Sequence, residues 1–588
     1  MPRCCACTGS DPGRARAHLA AIAGAGGTAR TAGTAPDSGA QAALIAGEPG
    51  YAEGPFTIDG ITAVGEVTLH NRAELLAALI AAGTPAPPAC PDGELLLRLW
   101  RRLGADGVRQ ADGMFVLAVV DGTDLVLIRD HVGARTVFYA RADGCWAAST
   151  SLRALRHWPA LGTGVNLAAV RSFLTFAYLP GEETLLRGVS EALPGRVLRL
   201  SADGSTREER YWEPAELLPP QADDVPPAVY AQQLRTLLEQ ATARRLPVGE
   251  DVAVLLSGGV DSSLVTALAA RLHDRLVHTY SISFGDELPN ELGYSGLVAE
   301  HCGTAHRVLS VSGAEVAARL ADTVALLDSP VGDPLTVPNL MLAEAVAGDG
   351  LSVSLNGEGG DPVFGGPKNL PMLVHEMHRD DPAPEVRAEA YLRSYRKCYE
   401  DLPRLLTPGA LRMLEAEPLP RRFVAPYLQP GPMHALLNQL LHCNLRTKGA
   451  HHILTKVERL TASRGVQGRS PLFDRQVIDH AFATPPRLKL NGTVEKWVLK
   501  EAVRDLLPAT VTDRPKSGMR VPVQQWLRGP LRDLSGDLLL GRQARERGLV
   551  RPDTVRTWMR GEGTLLPRQG GKLWLVLTLE LWLRAYDL

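Results

Sequence analysis

A short apolar strand that runs straight into a Gly-Ser loop and then a helix constrains this chain more than any other feature. VAVLL at 252–256 is followed by Ser257-Gly258-Gly259-Val260-Asp261-Ser262-Ser263, a helical stretch, and a second strand, TYSISF at 279–284. Strand, loop, helix and strand in that order is the grammar of a parallel sheet with helices on its faces. The two glycines let the backbone turn sharply and approach an anion closely. Ser257, Ser262 and Ser263 add hydroxyl donors. The helix opening near Ser262 offers free N–H groups and the positive end of its dipole. Asp261 is out of place in an anion cradle unless a cation accompanies the anion; Mg²⁺ bridging carboxylate and phosphate oxygens removes the conflict. The loop is not the GxxxxGK(S/T) phosphate loop of kinases and GTPases. A tight Gly-Ser turn capped by Asp and Ser is the plain alternative, and it explains SGG alone better than SGGVDSS behind a buried strand.

A second Gly-rich segment follows another strand-like run, LSVSL. It reads Asn356-Gly357-Glu358-Gly359-Gly360-Asp361-Pro362-Val363-Phe364-Gly365-Gly366. Glycines at this density mark backbone close to a ligand, and Asp361 is a second carboxylate for metal. One Mg²⁺ held by Asp261 and Asp361 would neutralise a departing pyrophosphate. By itself the segment is equally well read as a loop with a helix cap.

With 588 residues the chain exceeds one hydrophobic core, so two or more domains are expected. Residues 8 to about 50 carry little periodic hydrophobicity and read as poorly patterned, partly disordered chain. From Gly60 on, MFVLAVV (114–120), DLVLIRD (124–130) and RTVFYAR (135–141) read as strands. AELLAALIAAG and GELLLRLWRRLG have helical spacing. The first domain is therefore α+β and ends near residue 210. Prolines 214, 219, 220, 226 and 227 among acidic residues mark a linker. A net charge of −2 gives no electrostatic reason to expect nucleic acid or an anionic membrane as a partner. The longest apolar run, around Leu573 to Leu583, is broken by Glu580 and flanked by Lys572 and Arg584, so it reads as an amphipathic core helix. Eight scattered cysteines and the lack of a signal-type stretch point to the cytoplasm.

SGGVDSS and NGEGGDPVFGG, in this order, resemble the synthetase domain of class B asparagine synthetases, a family that includes β-lactam synthetases and lasso-peptide cyclases. DSPVGDPLTVP (328–338), Thr455-Lys456-Val457-Glu458-Arg459, Gly468-Arg469-Ser470-Pro471-Leu472-Phe473-Asp474 and Arg514-Pro515-Lys516-Ser517-Gly518-Met519 extend the likeness over roughly 230–535. The resemblance implies that Leu256, Ile282, Asn356 and Gly357 line the adenine and ribose pocket. It implies that Ser257, Gly258, Gly259, Asp261, Ser262 and Ser263 hold the ATP phosphates, and that Asp261 and Asp361 hold Mg²⁺. Lys516 would stabilise charge during acyl transfer. Glu358 stands at the acidic position of the asparagine-forming members, where β-lactam-forming members carry Tyr, and tilts the nucleophile toward ammonia or a simple amine. Ser329 and Pro362 stand where the family usually has Glu, which leaves the acyl substrate open.

Residues 60–155 resemble the family's N-terminal glutaminase. That chemistry needs an N-terminal cysteine whose own amine serves as base. Here residue 2 is Pro, Val64 stands where an asparagine oxyanion donor is expected, and no glutamine-binding arginine segment is found before residue 60. Processing after Arg3 would expose Cys4, a rival that stays open. A metal reading of Cys4, Cys5 and Cys7 lacks a fourth ligand nearby.

The fold expected from the resemblance is α/β: a degenerate glutaminase-like Ntn-type sandwich over 1–212, a linker over 213–229, and a parallel α/β PP-loop synthetase domain with helical additions over 230–588. The expected activity is adenylation of a carboxylate by ATP with Mg²⁺ and transfer to ammonia or a small amine. A lactam- or macrolactam-forming cyclase, a working glutamine-dependent asparagine synthetase and a noncatalytic scaffold are the alternatives. Small molecules are the expected partners, with a peptide or carrier-bound substrate and a homodimer left open.

Overall fold

The computed structural model describes residues 3–9, 11–24, 29–34, 40–45, 52–162, 164–218, 222, 224–285, 291–366, 369–378, 383–395, 397–515, 519–561 and 570–588. They form two units, one of Met1–Asn166 and Gly181–Glu213, the other of Leu167–Pro180 and Pro214–Asp587. Leu167–Pro180 thus falls with the second unit, although it lies inside the stretch 1–212 expected to form the first. Its helix, Leu167–Phe176, is buried at every position from Ala168 to Phe176. Phe176 and Tyr178 share a core with Met372, Tyr391, Tyr395 and Leu440. A helix buried on all sides needs packing partners all round, and its neighbours come from the second unit.

The first unit holds two antiparallel sheets. One runs Val189–Glu191, Phe138–Ala142, Cys145–Ser149, Arg3–Gly9, Ala40–Ile45, Ala29–Thr34; the other runs Thr206–Arg210, Arg196–Leu200, Asp124–Arg129, Gly113–Asp121, Ile61–Leu69, Ala52–Ile58. Cys4, Ala6, Trp146 and Ala148 from the first meet Val64, Val116, Ala118, Leu125, Leu127 and Leu198 from the second in one core. Each set alternates along its strand, as a face-to-face sandwich requires.

Two expectations fail here. The described part of the stretch from 8 to about 50 is not structureless: it holds the helix Pro12–Gly24 and the strands Ala29–Thr34 and Ala40–Ile45, and the strand Arg3–Gly9 runs into it. Small Ala, Gly and Thr side chains give weak periodicity, and it is the cross-strand pairing that organises them. The strand expected over 135–141 begins only at Phe138. Before it, the Asp130 carboxylate accepts the backbone N–H groups of Val132, Gly133, Ala134 and Arg135 and ties that stretch into a turn.

The second unit is built on a five-stranded parallel sheet in the order Ala305–Ser310, Val277–Ser283, Val252–Leu255, Val353–Asn356, Gln467–Arg469. From Val252–Leu255 the chain moves to one side for two strands, then returns to the other side for the last two. The gap between the ends of Val252–Leu255 and Val353–Asn356 is therefore a topological switch point, where open α/β sheets bind ligands. Helices surround the sheet. The last, Gly570–Ala585, buries Leu573 to Leu583, and the Glu580 carboxylate is held by Arg547 and Arg584. Among the described residues no helix is long and apolar enough to cross a membrane.

Candidate active site

Both Gly-rich loops leave the sheet at the switch point. Leu256 is anchored between neighbours: its N–H donates to the Tyr280 carbonyl at 2.8 Å, and Ser281 Oγ donates to its carbonyl at 2.5 Å. Gly258 then turns with φ +78°, and a Cβ there would lie 2.7 Å from Ser295 N and 2.8 Å from Tyr294 Cβ. Only glycine combines that conformation with that clearance. The helix Val260–Leu272 opens immediately after, capped from Gly259, so its first N–H groups face the loop. Ser257 Oγ and Ser262 Oγ lie 3.0 Å apart, and Ser262 Oγ also accepts Ser257 N–H at 3.1 Å. The loop is thus braced across its own mouth. Ser263 is fully buried at the helix start, and Ile282 is buried near the end of its strand.

The second loop packs onto the first. Asn356, buried at its strand end, accepts Ser470 Oγ at 2.7 Å and the Glu358 N–H at 3.1 Å through Oδ1. A Cβ on Gly357 would lie 2.4 Å from Ser262 N, and one on Gly360 would lie 2.3 Å from the Asp261 carboxyl carbon. These two glycines let the loops interlock. Gly360–Phe364 forms a short helix that tolerates Pro362 in its first turn, where a missing N–H leaves no carbonyl unserved.

The interlock brings Asp261 and Asp361 together on a residue that the sequence reading missed. Lys496 Nζ donates to Asp261 Oδ2 and to Asp361 Oδ1, both at 2.6 Å. Its side chain is 1% exposed, and its backbone sits at φ +58° at the start of the helix Trp497–Ala502. A non-glycine residue with positive φ is uncommon and concentrates at functional sites. Two carboxylates that converge on one ammonium are also a suitable oxygen donor set for a hard divalent cation. Nothing local in Val494-Glu495-Lys496-Trp497 announces this lysine; its partners are more than a hundred residues away.

Lys516 lies outside the described residues. The chain leading to it is anchored beside the first loop: Arg514 pairs with Glu291, its guanidinium stacks 4.1 Å over the Tyr294 ring, and its carbonyl accepts Lys500 Nζ at 3.0 Å. Tyr294 is the same residue that packs against Gly258.

A second buried ion pair lies on DSPVGDP and TKVER. Lys456 Nζ donates to Asp333 Oδ2 at 2.6 Å, and Arg459 pairs with Asp328 at 3.1 Å. Burial alone would push the Asp333 carboxyl up, but the Lys456 ammonium, paired with it, pulls it well below the usual carboxylate range. Burial likewise works against the Lys456 ammonium, yet Asp333 and Glu358 raise its pKa above the ordinary lysine value. His452 Nε2 lies 3.8 Å from Asp333, and burial pushes the imidazole down to about 3, so it is neutral. Its ring packs 5.4 Å from that of Tyr178. His452 belongs to a π-helical stretch, Leu445–Ile453, that ends one residue before the helix carrying Lys456. Such wide turns recur at functional sites. Glu358 is half-buried, and its carboxylate makes no hydrogen bond or ion pair among the described residues.

Residues 233–584 match the family model described as asparagine synthase, and residues 56–212 match that of a glutamine amidotransferase domain. Carboxyethyl-arginine beta-lactam-synthase of Streptomyces clavuligerus is 29% identical over 464 residues, covering 78% of this chain and 73% of its own. The glutamine-hydrolyzing asparagine synthetase 1 of Bacillus subtilis is 23% identical over 523 residues, covering 84% of this chain and 80% of its own.

Proposed function

Because the chain belongs to the asparagine synthase family and is an ATP-dependent carbon–nitrogen ligase, we propose that it adenylates a carboxylate and transfers the acyl group to ammonia or a small amine in a specialised biosynthetic pathway. The carrying observation is the interlock of the two Gly-rich loops at the switch point, with Lys496 joining Asp261 to Asp361. Backbone N–H groups at the start of Val260–Leu272, with Ser257 and Ser262, receive the phosphates. Leu256, Ile282, Asn356 and Gly357 line the nucleoside side. The acid's oxygen attacks the α-phosphorus, and the bond to pyrophosphate breaks. Lys496, and Lys516 during acyl transfer, offset the charge that develops. Mg²⁺, when bound, supplies further neutralisation of the leaving pyrophosphate, and Asp261 and Asp361 would hold it. The nitrogen nucleophile then attacks the acyl carbon, AMP leaves, and Glu358 takes the proton the nitrogen gives up.

The first unit serves in this reading as a retained fold without glutaminase chemistry. Cys4 lies inside a paired strand, and its nitrogen is an amide that donates to Thr150 Oγ1 at 3.1 Å. Burial, with Glu66, Cys5 and Glu53, pushes its thiol well above the usual value. A thiol so placed is a poor nucleophile. An intramolecular cyclase is the second reading, favoured by the likeness to the beta-lactam-synthase.

ATP–pyrophosphate exchange across a panel of carboxylates tests the proposal. Exchange that depends on one acid, followed by an amide only when ammonium or an amine is added, is expected. A cyclised product formed without added amine selects the second reading. Lack of exchange with every acid would falsify the adenylation step.

A further inference from the structure

Cys4, Cys5 and Cys7 crowd the start of the chain, and the ligase chemistry uses none of them. Alternation along the strand Arg3–Gly9 separates them. Cys4 joins Ala6 in the core between the two sheets. Cys5, Cys7 and Gly9 therefore share the opposite face of the strand, on which the helix Pro12–Gly24 packs. Among the described residues no group of three or more His, Cys, Asp or Glu side chains is placed to hold a metal ion. All eight cysteines are unlinked.

A fourth cysteine reaches this face from the neighbouring strand. Cys145–Ser149 runs antiparallel to Arg3–Gly9, with Cys145 opposite Gly9, Ala147 opposite Cys7 and Ser149 opposite Cys5. Opposite residues point to one face, so Cys7 and Cys145 are diagonal neighbours beneath the helix. Gly9 lets Cys145 lean across: a Cβ on Gly9 would lie 2.6 Å from Cys145 Sγ. That sulfur sits over the first strand, one same-face step of about 7 Å from Cys7. The two thiols meet there, each the hydrogen-bond partner of the other. With Cys7 donating, the Cys145 pKa falls below the ordinary thiol value, and that of Cys7 rises, pushed up further by burial. Arg14, whose Nη1 donates to the Asp143 carbonyl at 3.2 Å, adds positive charge beside Cys145, against burial and the carboxylates of Asp11 and Asp143. Both thiols are buried, yet Cys145 directly follows the exposed turn residues Asp143 and Gly144.

We propose that Cys7 and Cys145 form a redox modification site: a hydroperoxide oxidises Cys145, Cys7 resolves it, and a reversible disulfide staples the strand Arg3–Gly9 to Cys145–Ser149. The Cys145 thiolate attacks a peroxide oxygen, the O–O bond breaks, and a sulfenic acid and hydroxide form; solvent protonates the hydroxide. The Cys7 sulfur then attacks the sulfenic sulfur. The S–S bond forms, the S–O bond breaks, and water leaves with the Cys7 proton. Two electrons pass from the two sulfurs to one peroxide. Diagonal neighbours in a sheet lie about 7–8 Å apart at Cα, just past the ordinary disulfide span of about 4.4–6.8 Å. The bond thus asks the strands to close slightly, which makes it easily reduced. Cys4 faces the other way. Cys5 lies one step farther from Cys145, and burial pushes its thiol up to about 12.

Disulfide mapping of the full chain tests this. The protein is treated with hydrogen peroxide, unfolded in N-ethylmaleimide to cap the remaining thiols, and digested with trypsin. Cleavage after Arg3, Arg14, Arg141 and Arg153 puts Cys4, Cys5 and Cys7 in one peptide, 4–14, and Cys145 in another, 142–153. We expect these two peptides linked, with Cys4 and Cys5 capped, and the link lost on treatment with glutathione. The link should form at least about tenfold faster than Cys302 is oxidised, since burial pushes that half-buried thiol up to about 11. Oxidation of the chain in guanidinium chloride should spread the link over Cys4, Cys5 and Cys7, because the strands no longer select a partner. In Cys7→Ser, Cys145 should pass on to the sulfinic acid; in Cys145→Ser, Cys7 should stay cappable. The wild-type map stands whether or not these variants fold. Oxidation of Cys302 without a linked pair, a link through Cys4 or Cys5, or the same selectivity in guanidinium chloride would each overturn the proposal.

Discussion

At the residue scale the site turns on Lys496, because it converts two converging carboxylates from a repulsion into an anchor. Removing it as Lys496→Met leaves Asp261 and Asp361 facing each other. Breaking a fully buried pair costs about 3–5 kcal/mol. The cost here should lie nearer 2 kcal/mol, since the Asp361 side chain is 33% exposed and water can compensate part of it. The larger effect is on chemistry. Without a fixed cation where pyrophosphate charge develops, exchange should fall at least about a hundredfold, while Lys496→Arg, which keeps the charge but not the reach, should retain part of it. Thermal denaturation and exchange measured on the same preparations separate the two effects; a variant with unchanged exchange would remove Lys496 from the phosphate chemistry.

At the scale of the elements, what carries the site is the fit of one loop into another, and the glycines grade it. Gly357→Ala puts a methyl 2.4 Å from a backbone nitrogen, Ser262 N, which cannot move without displacing the helix Val260–Leu272. Gly360→Ala meets the Asp261 side chain, at 2.3 Å from its carboxyl carbon, and a side chain can swing aside. Overpacking costs about 1–3 kcal/mol, so Gly357→Ala should lower the melting temperature more. Gly360→Ala should fold, yet lose most of its exchange by dragging Asp261 off Lys496. Equal losses of stability in the two would show that the loops relax independently. These loops were legible in the sequence because each obeys local rules: an apolar strand, glycines where backbones approach, a helix start. The strand–loop–helix order also gave the parallel sheet. What stayed illegible was non-local. Lys496 and the Asp333–Lys456 pair acquire meaning only when residues 123 to 235 positions apart meet. The helix Leu167–Phe176 joins the second unit through contacts that no nearby residue announces. The strands at Ala29–Thr34 and Ala40–Ile45 are held by register rather than by pattern.

At the scale of the whole chain the question is where the nitrogen comes from. The first unit keeps the sandwich core, with Val64, Val116, Ala118 and Leu127 packed against Cys4, Ala6 and Trp146. A fold of this kind survives loss of its chemistry, because packing and catalysis rest on different residues. In the reading proposed above, the strand that places Cys4 in the core also withholds what a glutaminase nucleophile needs. Cys4 is 2% exposed, and its nitrogen, an amide bonded to Arg3, donates to Thr150 Oγ1 at 3.1 Å and lacks the basic lone pair of an amine. Glutamine should therefore give no glutamate and support no amide formation, whereas ammonium chloride should support it. Ligand binding stabilises a native state logarithmically with free ligand over Kd, by about 2.7 kcal/mol at a hundredfold excess. Mg·ATP should accordingly raise the melting temperature, and glutamine should leave it unchanged. Cys4→Ala deletes a thiol that this reading leaves idle, so ammonium-dependent activity should persist, with a modest loss of stability from the small cavity. Release of glutamate by the wild type, abolished in Cys4→Ala, would return the first unit to catalysis and make glutamine the nitrogen donor.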